Sequence, residues 1–201
     1  MIDYLQPDFY RFNQDSLELV GLVKRELSAA QSILDLGAGC GVIGIELARV
    51  FCPEHLSLVE VQPEYRAFLL KNSEVFLNAQ VEREIFISSF SEFRATRSYD
   101  LIVCNPPYYL PGHGQESSDF RRRVARSFLA DSWVELLKCV EVNLAENGKA
   151  YLVIKNDGTL LEHVNRHLKS SGLDSRWTLN EDLAFLRLTL NSSLPRSLSR
   201  Y

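Results

Sequence analysis

The sequence predicts an α/β protein: a doubly wound, mainly parallel sheet that closes on a C-terminal antiparallel hairpin. Three observations carry that expectation. Short apolar runs alternate with stretches of helical periodicity along most of the chain, as consecutive βαβ units require. The last two runs, 176–179 and 185–190, lie close together, and the second alternates Leu186, Leu188 and Leu190 with Arg187 and Thr189. A glycine-rich turn follows the first run, at the carboxyl end of a strand, where open α/β sheets bind their ligands.

The elements follow in order. Leu17, Val20, Val23 and Leu27 share one helical face, with Asp15 or Ser16 as the expected N-cap. Strands are expected at 32–36, 56–61, 85–87, 101–104 and 150–154, their apolar runs too short for helices. Pro63 opens a helix to about Asn78, because its missing N–H costs nothing in a first turn. Leu129, Trp133, Leu136, Leu137, Val140 and Leu144 predict a helix stopped by Gly148. Leu160, Leu161, Val164 and Leu168 predict another before Gly172. Internal repeats, heptads and low-complexity tracts are absent from the sequence, which excludes solenoids and coiled coils.

The 201 residues are expected to form one domain: an N-terminal lead and helix at 1–30, a core at 31–191 and a tail at 192–201. With 46% hydrophobic and 24% charged residues the chain is globular rather than disordered. Its 22 Lys+Arg against 26 Asp+Glu give a charge of −4, which opposes bulk attraction to nucleic acid but permits a local basic patch. Cys40, Cys52, Cys104 and Cys139 form no CxxC pair, so neither a disulfide framework nor a zinc site is expected. The acidic N-terminus has no apolar core for a signal peptide, and no apolar stretch approaches the roughly 18 residues of a membrane span. The expected compartment is the cytoplasm, with no membrane partner.

The chemistry lies at the strand ends. Gly39-x-Gly41-x-x-Gly44 satisfies the dinucleotide fingerprint, but the fuller pattern is D-x-G-x-G-x-G from Asp35. A carboxylate there is a poor neighbour for a pyrophosphate and suits a cationic ligand, so S-adenosylmethionine fits better than NAD. Glu60, about 20 residues on, can accept both ribose hydroxyls of either ligand and does not choose between them. The run Tyr99–Cys104 then enters Asn105-Pro106-Pro107-Tyr108-Tyr109. Two prolines make this turn rigid and remove two donors. Asn105 Oδ1 and the Pro106 carbonyl would accept the two hydrogens of an exocyclic amine, and Tyr108 offers a face on which a base can stack. Such an amine is a feeble nucleophile, so methylating it needs positioning and electrostatic stabilisation more than a base.

Asp35–Gly41, Glu60 and Asn105–Tyr109, in this order and spacing, resemble class I S-adenosylmethionine-dependent methyltransferases of the amino-methylating branch. The run Tyr10-Arg11-Phe12-Asn13-Gln14-Asp15-Ser16 is similar to the segment before the first helix in bacterial tRNA(Val) adenine N6-methyltransferases. That resemblance implies a seven-stranded Rossmann-like sheet, S-adenosylmethionine as cofactor, and methyl transfer to the N6 amine of an RNA adenine, in tRNA near the anticodon. It implies cofactor contacts from Gln14, Asp35, Gly37, Ala38, Gly39, Gly41, Glu60, Val61, Ser89 and Asn105, with Asp15 near the methionine end. Asn105, Pro106, Pro107 and Tyr108 would hold the target amine, with Phe12 or Tyr10 closing the pocket. Relatives often carry Asp or Asn at the end of the third strand, against the cofactor's adenine. Here the sequence is Ser88-Ser89-Phe90, so that contact falls to Ser89, a backbone group or water.

Two alternatives share the same turn or fold: a protein glutamine-amide N-methyltransferase and a non-catalytic RNA-binding module. The first usually carries a separate N-terminal helical domain, whereas about thirty residues precede the first strand here. Arg121, Arg122, Arg123 and Arg126 either grip RNA phosphates beside the target base or begin a solvated helix. His163 and His167 have a zinc-compatible spacing without a third ligand nearby, so no metal is expected. Cys104 lies in an apolar run and is read as core packing.

Overall fold

The protein is described here from a computed structural model covering residues 3–9, 11–107 and 132–193. Its strands are β1 (Ser32–Leu36), β2 (His55–Glu60), β3 (Glu82–Ile87), β4 (Tyr99–Cys104), β5 (Leu144–Lys155), β6 (Leu173–Leu179) and β7 (Leu183–Leu190). They form one sheet of seven strands in the order β3-β2-β1-β4-β5-β7-β6. The first five are parallel, and β7 inserts antiparallel between β5 and β6. The expected hairpin is therefore present, with its second strand on the inside.

The strands are apolar almost throughout because both faces are covered. Ile33, Leu101, Val103 and Val153 point to a layer of α1 (Gln14–Glu26), α2 (Val42–Phe51) and α3 (Arg66–Phe76). Leu34, Leu36, Ile102, Cys104, Leu152 and Ile154 point to α4 (Trp133–Asn143) and α5 (Gly158–Leu168). None of the described helices is long and apolar enough to cross a membrane.

Several boundaries differ from expectation. The N-cap of α1 is Asn13, while Asp15 and Ser16 are buried inside the first turn. Pro63 opens a 3-10 turn, Pro63–Tyr65, which runs into α3 and ends at Phe76. Helix α4 starts after Ser132, whose side chain accepts from the Glu135 N–H, and ends at Asn143. Leu144 and Gly148 belong to β5 instead, Leu144 because it pairs with Tyr99 of β4. At Gly148 a Cβ would stand 2.7 Å from the Tyr99 carbonyl oxygen, so that glycine serves a close approach of two strands rather than a helix stop. Leu129 lies outside the described residues.

Residues 3–9 pack across α2 and α3, with Tyr4 and Phe9 buried. Asn72 of α3 fastens this segment: its Oδ1 accepts from the Leu5 N–H (2.9 Å), and its Nδ2 donates to the carbonyls of Leu5 (3.0 Å) and Cys40 (2.8 Å). One buried amide thus joins the N-terminal segment to the glycine loop. Asn72→Ala removes three bonds at once, and we expect a loss of about 2 kcal/mol in urea unfolding. Faster proteolytic cleavage within residues 3–9 should accompany it. Unchanged unfolding and cleavage would show that Asn72 does not fasten the segment.

Candidate functional site at three strand ends

Leu36 pairs with Val59 of β2 and with Cys104 of β4, so Gly37, Glu60 and Asn105 leave the sheet side by side. The chain then turns through Gly37 (φ 70°), Gly39 (φ 55°) and Gly41 (φ 86°), all left-handed, into α2. Backbone bonds from Ala38 to the Val59 carbonyl (2.9 Å) and from Gly41 to the Ala38 carbonyl (2.8 Å) fix the turn. The glycines have different neighbours. A Cβ on Gly39 would meet nothing closer than Tyr65 at 3.8 Å, whereas on Gly41 it would lie 2.9 Å from Ile45 and 3.1 Å from Leu69. Gly41 is packed; at Gly37 and Gly39 a Cβ would have room, in ordinary contact with Phe90 and Tyr65 at 3.8 Å.

Two buried carboxylates underlie this turn. Asp35 Oδ2 accepts from the Gly44 N–H at 2.8 Å, and Oδ1 is buried with no hydrogen-bond partner among the described residues. Burial pushes the Asp35 carboxyl up to about 7, against the pull of the Gly44 N–H, and the nearby Glu60 charge adds to the rise. Glu60 accepts from the Gly39 N–H (2.8 Å) and the Gln62 N–H (2.9 Å). Burial raises its pKa as well, opposed by these N–H groups and that of Val61. The loop is therefore held by the same carboxylate that borders it.

Asn105 Nδ2 donates to Ser16 Oγ at 3.0 Å, which ties the turn after β4 to the first turn of α1. Pro106 is buried and Pro107 half-buried. Cys104 is fully buried, and desolvation raises its thiol pKa far from any nucleophilic range. Ser89 is buried, and its hydroxyl donates to Glu92 Oε2 at 2.9 Å; a Cβ on Gly37 would meet the Phe90 ring at 3.8 Å. Ala38 and Val61 are half-buried beside the glycine turn and Glu60, while Gln14 is exposed at the first residue of α1. Tyr10, Tyr108, Arg121, Arg122, Arg123 and Arg126 lie outside the described residues. His163 and His167 stack edge to face with ring centres 4.7 Å apart on α5, and no three metal-ligating side chains cluster among the described residues.

Residues 16–171, which include every described part of this site except Phe12, Gln14 and Asp15, match the family model of the methyltransferase small domain. The chain belongs to that family. This methyltransferase small domain is 32% identical over 146 residues to a protein of Pedobacter heparinus named tRNA1(Val) (adenine(37)-N6)-methyltransferase, covering 72% of this chain and 59% of the relative. A protein of the same name from Aliivibrio salmonicida is 25% identical over 130 residues, covering 64% of this chain and 53% of the relative. The chain thus spans little more than half the length of these relatives. Among solved structures it is similar to the ribosomal protein L11 methylase of Lactobacillus delbrueckii subsp. bulgaricus, with a TM-score of 0.65, 15% identity, and 89% and 80% of the two chains covered. It also resembles the N-methyltransferase NodS of Bradyrhizobium japonicum in complex with S-adenosyl-L-homocysteine, with a TM-score of 0.60, 16% identity, and 88% and 86% covered. These neighbours establish the fold of the domain as the seven-stranded, Rossmann-like sheet of methyltransferases.

The structure adds residues that the sequence does not point to. Ser16, Gln62 and Phe90 stand at the site through helix docking and strand register; Gln62 and Phe90 sit in no recognisable motif, and the run that ends at Ser16 gives it no role. The only available sign for Ser16 is its position in the Gln14-Asp15-Ser16 run.

Proposed function

We propose that this domain transfers a methyl group from S-adenosylmethionine to the N6 amine of an adenine in tRNA. The observation that carries the reading is the placement of Asn105 abreast of Gly37 and Glu60, beside the open glycine turn and two buried carboxylates. The names of the sequence relatives support N6-adenine in tRNA as the acceptor.

The residues present fit the cofactor. Asp35 Oδ1 is a buried acceptor awaiting a donor, and the space bordered by Gly37 and Gly39 is what a Cβ would fill. Asp35 would face the cationic methionine end, and Glu60 retains lone pairs for ribose hydroxyls beyond those bound by Gly39 and Gln62. Gly37, Ala38, Gly39, Gly41 and Val61 would line the ligand, and Ser89 would stand near its adenine. Gln14 and Asp15 would close the methionine end. Bound there, S-adenosylmethionine supplies an electrophilic methyl group. Asn105 Oδ1 and the Pro106 carbonyl would accept the two amine hydrogens and hold the nitrogen lone pair along the line of transfer. As the methyl–sulfur bond broke, leaving a neutral thioether, and the C–N bond formed, the amine would give its proton to solvent, so these residues would need no strong base. Pro107 stiffens the turn. Tyr108 would stack on the base, with Arg121, Arg122, Arg123 and Arg126 on RNA phosphates. A cytoplasmic location accords with a tRNA substrate.

The buried Asp35 makes ligand binding pH-dependent. Because its pKa is raised by folding, the folded chain takes up a proton there, and stability falls as pH rises from about 4 to about 7. A cation beside Oδ1 reverses that preference and expels the proton. We expect cofactor affinity to be about tenfold weaker at pH 6 than at pH 7.5, with Asp35→Asn flattening the profile in calorimetry. A wild-type profile that is already flat would show that Asp35 does not face the cation.

The test of the function is methyl transfer from labelled S-adenosylmethionine to unmodified tRNA, with nucleosides resolved after digestion. Label in N6-methyladenosine is the expected result. Label only in another nucleoside, or only in protein glutamine, overturns the acceptor. Failure to bind the cofactor overturns the whole reading.

A further inference from the structure

We infer that Ser16 is a positioning residue for Asn105, holding its side-chain amide in place at the end of β4 through a hydrogen bond to Nδ2. This rests on the function proposed above. An asparagine amide is nearly symmetric in shape, and rotating it by half a turn exchanges Oδ1 with Nδ2. One orientation offers an acceptor to the amine hydrogens. The other sets N–H against N–H and turns the lone pair away. The amide therefore needs a partner that holds it in place.

Ser16 Oγ is that partner. It accepts from Asn105 Nδ2 at 3.0 Å across 89 residues of sequence, and Ser16 is only 5% exposed, so water competes little for the bond. With Nδ2 so engaged, Oδ1 is the end turned elsewhere. The hydroxyl is itself held in place, because α1 is anchored near both ends to the strands beyond β4. At its start, Asn13 Nδ2 donates to Asp15 Oδ2 (2.7 Å), and Lys155 at the end of β5 lies 3.7 Å from the same oxygen. At its end, Glu26 accepts from the Tyr151 hydroxyl of β5 (3.0 Å) and from Arg187 of β7 (3.3 Å). The first turn of α1 is thereby fixed against the end of β4, and a change in that docking would reach the acceptor site through the Ser16 hydroxyl.

The decisive pair is Ser16→Thr and Ser16→Val, which match in shape and differ in the hydroxyl. We expect Ser16→Val to lower kcat for tRNA methylation by about tenfold to a hundredfold, with cofactor affinity by calorimetry within twofold, and Ser16→Thr to stay within about threefold of wild type. In an Asn105→Ala background, Ser16→Val should cost nothing further. The Asn105 side-chain amide signal in NMR, assigned by its loss in Asn105→Ala, should shift in Ser16→Val and not in Ser16→Thr. Equal losses in both Ser16 variants, or a further loss in the double variant, would overturn the positioning role. An unshifted amide signal in Ser16→Val would overturn the contact itself, whatever the substrate. If instead Asn105→Ala keeps full activity, it is the underlying reading of the turn that fails.

Discussion

Asn105→Ala is expected to lower methyl transfer by about two to three orders of magnitude while leaving S-adenosylmethionine affinity within a few-fold of wild type. The magnitude follows from removing a preorganised acceptor at the reacting centre, which typically costs that much in kcat. The split follows from the geometry. The buried carboxylates and the left-handed glycines that would receive the cofactor lie on β1, β2 and the turn between β1 and α2, whereas Asn105 reaches the site from β4. Asn105→Asp is the sharper variant, since it keeps an acceptor and loses the donor that binds Ser16. Single-turnover rates with saturating cofactor, alongside calorimetry, separate the two effects. A variant that binds cofactor normally and still methylates at the wild-type rate would remove Asn105 from the chemistry.

Gly41→Ala and Gly39→Ala should fail in opposite ways. Both residues sit at positive φ, where an alanine costs about 1–2 kcal/mol. At Gly41 the added methyl would also come within 2.9 Å of Ile45 and 3.1 Å of Leu69, under the loop. We expect a total loss of about 2–3 kcal/mol and a drop in Tm of about 5–10 °C. At Gly39 the methyl meets, among the described residues, Tyr65 at an ordinary 3.8 Å, so stability should fall by the backbone strain. Its methyl instead enters the open side of the turn, and cofactor affinity should fall tenfold or more. Thermal unfolding without cofactor, followed by calorimetry with it, distinguishes the two. If Gly39→Ala bound cofactor as tightly as wild type, the ligand would not approach the backbone there.

Much of the candidate site was legible because its chemistry is local. The run from Asp35 to Gly41 needs only its own residues to make a left-handed turn into a helix, and Asn105–Pro107 needs only two prolines to be rigid. Glu60 was legible from its place at a strand end, but its bonds were not. The sequence assigns it to a ribose, and the structure shows it holding the Gly39 and Gln62 N–H groups. Ser89 likewise occupies the expected strand end with its hydroxyl engaged by Glu92.

Where the reading of elements failed, local pattern and long-range pairing disagreed. Leu144 continues the helical period of α4, yet it pairs with Tyr99 and begins β5. Gly148 reads locally as a helix stop because glycine usually is one there, whereas its absent Cβ makes room for the Tyr99 carbonyl. Asp15 and Ser16 have N-cap chemistry, but Asn13 holds that position and both are buried.

The sequence by itself determined the alternation of strands and helices, the faces they bury, and the two turns that carry the candidate chemistry. Each depends on side-chain period or on backbone conformation within a few residues. Only the tertiary structure decided that Gly37, Glu60 and Asn105 emerge abreast, that Asn72 ties residues 3–9 to the glycine loop, and that Ser16 meets Asn105. Those relations depend on strand register and helix docking, which are set by packing between segments tens of residues apart and leave no period in the sequence.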